Sequence, residues 1–339
     1  MLVVAGWVLV GQRYAFASVF ENWDVAHYLG IAEKGYAEAN SIAFFPGWPL
    51  LVRLGSLTGI PTVVVGIVLA LAASGVAAAA LYRLGGAPAA IAWLLAPTAV
   101  FTVVPYTESV FCAAAFWAWE RATAKQWGAA AVLAAVAASV RVSGVFLIAA
   151  LAVLALTQAG SSSVRGRRLL WLALPVAVVA AYLGYLHAIT GSWTAWLDAQ
   201  AAGWARGFAT PWQSLQHTLS VLEPGAYADH PEWHWVFLAE IISMAVGLLV
   251  TVICLVQRRW AEATWVGLQL VAFGTSYWYM SVNRAVLLWF PLWILVGRLA
   301  EGRGPLPAWR KVLIGVVAFL ALGVQAVWAW LFFTGRWAS

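Results

Sequence analysis

Residues 43–59 read AFFPGWPLLVRLGSLTG, and the topology of the whole chain turns on whether this segment crosses a membrane. Pro46, Pro49 and several glycines interrupt it, and Arg53 stands in its apolar part. Such breaks free backbone groups that hydrocarbon cannot satisfy, so the segment reads as a helix lying at the interface and not as a span. Its setting makes the question decisive. Of 339 residues, 64% are hydrophobic and only 9% charged, where soluble domains run near a quarter charged. Apolar runs of the ~17–25 residues that cross a hydrocarbon core recur along the chain. The expected class is an all-α polytopic membrane protein, one transmembrane domain over 1–339.

Eleven spans are expected, at about 1–20, 60–82, 87–104, 107–121, 126–140, 144–158, 169–190, 234–256, 262–280, 285–298 and 312–333. One set of connecting loops holds Arg83, Arg121, Lys125, Arg165, Arg167, Arg168, Arg258, Arg259, Arg298, Arg303, Arg310 and Lys311, twelve of the nineteen basic residues. The positive-inside rule puts that set in the cytoplasm. The N-terminus is then inside and the C-terminus outside, provided 43–59 does not cross. Ala15-Phe16-Ala17 before Ser18 looks like a signal-peptidase site, but no Lys or Arg precedes the apolar run and Arg13 lies near its end. An uncleaved first helix is expected.

Acids sort to the opposite face: Glu21, Asp24, Glu33, Glu38, Glu108, Asp198, Glu223, Asp229 and Glu232, with all five histidines at or near it. Two outer loops are long, 21–59 and 191–233, and long loops in a compact bundle are usually functional. Most of the 23 tryptophans read as interfacial belt residues. Trp193, Trp196, Trp204, Trp212, Trp233 and Trp235 are candidates for a groove wall. The net charge of +6 is loop charge that sets orientation, so no nucleic-acid partner is expected. Cys112 and Cys254 lie inside apolar runs and are not expected to pair. No zinc-type spacing and no Gly-rich nucleotide loop is present.

Ionisable groups beside apolar helix ends mark four stretches, because charge at membrane level is costly. In ENWDVAHYLGIAEKGY, residues 21–36, Asp24, His27 and Tyr28 share one helical face by their spacing. Asp24 reads either as a base for a hydroxyl proton or as a helix N-cap. In Pro105-Tyr106-Thr107-Glu108-Ser109, Glu108 stands at a helix N-terminus, where the dipole favours an acid. In Ser139-Val140-Arg141-Val142-Ser143-Gly144, an arginine breaks what would otherwise be one very long helix. Arg141 is a candidate phosphate ligand through two parallel hydrogen bonds. Ser281-Val282-Asn283-Arg284 supplies a second such candidate, Arg284. One acid and two arginines at the outer face suit transfer of a sugar from a polyprenyl monophosphate to a hydroxyl. The carboxylate would take the proton and guanidinium groups the departing phosphate, with no metal or other cofactor.

Trp23-Asp24-Val25-Ala26-His27-Tyr28-Leu29, then Ile31-Ala32-Glu33-Lys34-Gly35-Tyr36, resembles the signature of the GPI mannosyltransferase 2 (PIG-V-like) family of the GT-C glycosyltransferase superfamily. Ala43-Phe44-Phe45-Pro46-Gly47-Trp48-Pro49-Leu50 is similar to its next block. Tyr106-Thr107-Glu108-Ser109-Val110-Phe111, Glu120-Arg121 and Val140-Arg141-Val142-Ser143-Gly144 resemble the following ones. Gly203-Trp204-Ala205-Arg206-Gly207-Phe208 and Arg284 ahead of Phe290-Pro291 match more loosely. The chain has Arg284-Ala285 where the family commonly has an Arg–Tyr pair.

The resemblance implies an inverting mannosyltransferase with a GT-C bundle and an active site in the first outer loop, its interfacial helices included. It implies a polyprenyl-phosphate mannose donor and a lipid or glycan acceptor. Asp24 would be the base, and Arg141 and Arg284 would bind the donor phosphate. Trp23, His27, Tyr28, Glu33, Tyr106, Glu108 and Arg206 would shape the sugar and acceptor pocket. The short, Ala/Trp-rich chain suggests a bacterial relative in the cytoplasmic membrane, among membrane lipids. Asp24, Glu33 and His27 are the set that would meet a divalent metal. The rival readings are a flippase or transporter of a lipid-linked sugar, a GT-C enzyme using another sugar, and a non-catalytic partner of a membrane complex.

Overall fold

The computed structural model describes residues 1–11, 15–301 and 307–338, so Arg13 and Arg303 lie outside the described residues. Among these residues the chain is helical, with one isolated bridge between Phe208 and Ser276. Four helices have the length and apolar character to cross a membrane: Thr62–Leu94, Ser162–Thr190, Glu232–Val256 and Ala308–Phe333. A fifth arises if Val282–Leu288 and Phe290–Glu301, bent by 70°, count as one broken span. The chain is thus an integral membrane protein.

The expected count of eleven spans is not what these lengths give. The first apolar run divides into helices Leu2–Gly11 and Phe16–Phe20. Helices Glu108–Thr123, Trp127–Val140, Ser143–Thr157 and Trp260–Gly274 have 16, 14, 15 and 15 residues. At 1.5 Å per residue they reach about 21–24 Å, short of a ~30 Å core. The expected span 87–104 ends at Leu94, ahead of Pro97, and a 3₁₀ turn Ala99–Thr102 follows. The turn foreseen between spans near Arg83 is present in another form. Gly86, at φ 79°, kinks helix Thr62–Leu94, and Pro88 opens the next turn of helix.

Small residues let the shorter helices pack closely. Ala130, Ala134, Ala137 and Ala138 of helix Trp127–Val140 are fully buried. Helices Gly47–Ser56 and Ser143–Thr157 both approach the end of helix Trp127–Val140 backbone to backbone. A Cβ at Gly47 would meet the Ser139 carbonyl oxygen at 2.7 Å, and one at Gly144 the Ala138 nitrogen at 2.8 Å.

The first long loop is largely helical: Asp24–Lys34, the 3₁₀ turn Ala39–Ala43, and Gly47–Ser56. Helix Gly47–Ser56 has ten residues, about 15 Å, too short to cross. The second long loop forms helices Ala195–Trp204 and Pro211–Ser220, the latter opened by a Thr210–Gln213 capping box. Helix Ala195–Trp204 lies against the turn Ala39–Ala43. Trp196 Nε1 and Gln200 Nε2 both donate to the Ala43 carbonyl, at 3.1 and 3.0 Å. The Tyr182 hydroxyl lies within 2.9 Å of the Ile42 and Phe44 carbonyls.

Gly144→Ala is expected to cost about 1–3 kcal/mol, because a backbone atom must move. Gly184→Ala, where a Cβ meets nothing within 4 Å, is expected to be neutral or stabilising. Thermal unfolding midpoints in detergent check the pair, and equal midpoints would contradict the packing argument.

Candidate active site

Three non-helical backbone points each deliver one charged side chain to the same place. The first is Trp23, at φ 57°, so that helix Asp24–Lys34 begins with Asp24 itself. Trp23 is the N-cap and Asp24 the first helical residue, which removes the N-cap reading of Asp24. Its Oδ2 accepts from Arg284 Nη1 at 2.9 Å. The second is Arg141, whose extended backbone at φ −163° separates helices Trp127–Val140 and Ser143–Thr157. The third is Ser281, left-handed at φ 68°, which starts the short turn Val282–Ala285 bearing Arg284.

Glu108 ties the two arginines together. It is the first residue of helix Glu108–Thr123 and is fully buried. Its Oε1 lies 2.7 Å from Arg141 Nη1 and 3.8 Å from Arg284 Nε. The second distance is too long for a hydrogen bond but short for a Coulombic contact. Arg141 Nη1 also donates to Thr107 Oγ1 at 3.2 Å, and Arg284 Nη2 to Ser281 Oγ at 3.1 Å. The Arg284 guanidinium lies 5.0 Å from the ring centre of Tyr106 and 5.4 Å from that of Phe101.

These groups face a small pocket of about 90 Å³, room for a few waters. Asp24, Tyr28, Arg141, Arg206 and Arg284 line it, and Phe44, Trp196, Gln200 and Trp204 complete the wall. Arg206 is half-buried, with its Nη2 3.4 Å from the Met280 carbonyl. Burial, and then the like charge of Arg284, press it down to about 10, so it stays protonated at neutral pH. Burial raises the Tyr28 and Tyr106 hydroxyls, and the Asp24 carboxylate raises them further. Both are neutral hydroxyls at any physiological pH and cannot serve as the anionic base. The Tyr106 hydroxyl accepts from the Asp24 backbone N–H at 3.3 Å.

The remaining expected residues divide. His27 stacks on Phe44 at 5.1 Å and meets the Trp204 ring at 5.7 Å, so it backs the pocket wall. Glu33 does not reach the pocket. It is exposed, accepts from Thr62 Oγ1 at 2.9 Å, and lies on the side of its helix opposite Asp24. Trp23 also turns away, its Nε1 donating to the Arg336 carbonyl at 3.1 Å. Among the described residues no group of three or more His, Cys, Asp or Glu is placed to hold a metal. Asp24, Glu33 and His27 do not converge as a ligand set. Of the six tryptophans offered as groove wall, Trp196 and Trp204 line the pocket. Trp193, Trp212 and Trp235 are 67%, 64% and 68% exposed, and Trp233 packs with Tyr227 and Trp337.

Sequence reasoning missed Gln200 and Glu240. Glu240 is fully buried within helix Glu232–Val256. Its two oxygens accept from the backbone N–H groups of Ser281 and Asn283, each at 2.9 Å. Asn283 is held further by Ser243 Oγ, by the Val236 carbonyl and by Thr98 Oγ1. Glu240 therefore fixes the left-handed turn that aims Arg284. An acid inside an apolar run was the signal available.

Glu240→Ala orphans two buried N–H groups, and a loss on the order of 3 kcal/mol is expected. Glu33→Gln, at an exposed position, is expected to stay within about 0.5 kcal/mol of the parent. Unfolding midpoints of the two purified variants check this contrast.

Comparisons with known proteins bear on this geometry. Residues 10–85 match the family model described as Mannosyltransferase (PIG-V). GPI alpha-1,6-mannosyltransferase 2 of Mus musculus is 33% identical over 142 residues, covering 36% of this chain and 29% of the relative. The Homo sapiens protein of that name is 32% identical over 114 residues, covering 28% and 23%. The matched region thus spans less than a third of the curated relatives' length. Among solved structures, ArnT from Cupriavidus metallidurans bound to undecaprenyl phosphate aligns with a TM-score of 0.53 at 17% identity, covering 97% of this chain and 70% of that one. That likeness concerns the fold and agrees with the GT-C class expected from the sequence blocks. The resemblance read from those blocks therefore holds: residues 10–85, which carry Asp24 and the first-loop helices, match the PIG-V mannosyltransferase family, within a chain folded like ArnT.

Proposed function

We propose that the chain is an inverting glycosyltransferase that moves mannose from polyprenyl-phosphate mannose to a hydroxyl of a lipid or glycan acceptor. The observation that carries this reading is one carboxylate, Asp24, lining a pocket with three guanidinium groups, Arg141, Arg206 and Arg284. The match of residues 10–85 to a mannosyltransferase family supports the sugar. The ArnT structure contains undecaprenyl phosphate, which supports a prenyl-phosphate carrier. The segregation of acids from the arginine-rich loops supports a site on the outer face of the membrane, with the N-terminus inside, the C-terminus outside and 21–59 as the active-site loop.

In this mechanism Asp24 takes the proton of the acceptor hydroxyl. The hydroxyl oxygen forms a bond to the anomeric carbon from the face opposite the leaving group, and the carbon–oxygen bond to the phosphate breaks. The electron pair leaves with the polyprenyl phosphate. The three guanidinium groups face two carboxylates, Asp24 and Glu108, which leaves one positive charge to meet the donor phosphate. Arg284 is paired with Asp24 at 2.9 Å. A donor phosphate would compete for that guanidinium and release the carboxylate to act as base. Glu108, fully buried behind Arg141, holds the arginines in place.

Asp24→Asn keeps an acceptor for Arg284 but removes the base. Mannose transfer by purified protein from labelled polyprenyl-phosphate mannose is expected to fall by about 10²–10⁴-fold, with expression and unfolding midpoint near those of the parent. Transfer at near parental rate would overturn the assignment of Asp24. Label that crosses the bilayer while still joined to its carrier would instead establish a flippase.

A further inference from the structure

Helix Trp127–Val140 connects two sites. Its C-terminal end leads into Arg141 of the candidate active site. Its N-terminal end, 14 residues away and so about 20 Å distant, opens on a separate cavity of about 520 Å³. We infer that this second cavity, walled by Lys125, Trp127, Gly128, Arg167, Arg168 and Trp171, is a binding site for a phosphate group at the arginine-rich face of the protein.

Charge supports the assignment. Three basic side chains line the cavity and no carboxylate does. Among the described residues, Lys125 and Arg167 belong to none of the ion pairs. On the same face, Arg83 and Arg121 share Glu120, at 2.7 and 2.6 Å, and Arg259 meets Glu262 at 3.1 Å. No carboxylate among the lining residues balances Lys125 and Arg167.

Backbone and side-chain donors point the same way. Gln126 gives helix Trp127–Val140 no side-chain cap. The first-turn amides of Trp127, Gly128 and Ala129 belong to cavity-lining residues, and a helix start favours an anion. Trp127 is 5% exposed and its indole N–H has no acceptor, although a buried unpaired donor is costly. The walls are pre-set. Lys125 is held in a left-handed turn at φ 63°, with its N–H on the Ala122 carbonyl at 3.0 Å. Arg168 is anchored by the carbonyls of Gln158 and Ala159, at 2.9 and 2.8 Å, with its guanidinium 6.0 Å from the Trp127 ring. Beside the cavity, Leu170 and Trp171 are 73% and 47% exposed, apolar surface that suits the chains of a phospholipid. A soluble phosphate compound carries the same head-group chemistry.

The test uses the full chain in detergent and the double variant Lys125→Asn, Arg167→Gln. Both positions are exposed, and asparagine tolerates the left-handed backbone. A second double variant, Arg258→Asn with Lys311→Gln, removes the same charge from outside the cavity. Native mass spectrometry measures phosphatidylglycerol against phosphatidylcholine, and unfolding midpoints measure inorganic phosphate and glycerol phosphate. Phosphatidylglycerol binding weakened about tenfold by the cavity variant, and unchanged by the other, identifies a lipid head group. Stabilisation by the soluble phosphates, lost only in the cavity variant and without phosphatidylglycerol preference, identifies the soluble source. If every probe responds alike to both variants, or none binds, the site does not exist.

Discussion

Two carboxylates and two guanidinium groups, drawn from residues 24, 108, 141 and 284, meet inside a helical membrane protein. In a low-dielectric interior none of them is tolerable alone, so the four elements that carry them must arrive together. That requirement accounts for the irregular backbone. Trp23 and Ser281 take left-handed conformations, and Arg141 is extended between two helices. Each departure costs local stability, and each places one charged group at the pocket. Glu240 anchors the Ser281 turn from a neighbouring helix. Site and fold are one construction here.

The two ends of the bundle handle charge differently. At the candidate site, carboxylates and arginines are interleaved, with a surplus of one guanidinium facing the pocket. At the opposite end, Arg83, Arg121 and Arg259 are paired with Glu120 or Glu262, and one cavity is lined by three basic side chains without a carboxylate. Helix Trp127–Val140, rich in buried alanine, runs from one end to the other. Close packing through small residues is what lets so short a helix sit among its neighbours without a void.

Much of this was legible along the chain. Pro46, Pro49 and Arg53 marked 43–59 as a segment that does not cross, and it folds as a ten-residue helix. Arg141 among small residues marked a helix break, because an unpaired arginine cannot lie in an apolar run without purpose. The i, i+3, i+4 spacing put His27 and Tyr28 with Asp24: Tyr28 lines the same pocket and His27 stacks behind its wall on Phe44. The same period, carried nine residues further, places Glu33 on the opposite side of the helix. Hydropathy measures apolar content and not helix length, so several of the expected spans fold as helices of only 14–16 residues. It also hid Glu240, one acid in a run that otherwise reads as lipid-facing.

By itself the sequence determined a helical membrane protein, two long loops rich in acids, and Asp24, Glu108, Arg141 and Arg284 as charged groups at helix ends. These follow from composition, charge asymmetry and short-range periodicity, which are local properties. Tertiary structure alone decided which charges pair: Arg284 with Asp24 across 260 positions, Arg141 with Glu108, and Glu240 with the backbone at Ser281 and Asn283. It also decided that Trp23 leaves the pocket while Gln200 helps to close it. The physical reason is that a buried charge is satisfied by whatever packing brings within about 3–4 Å, and no pattern along the chain encodes that distance.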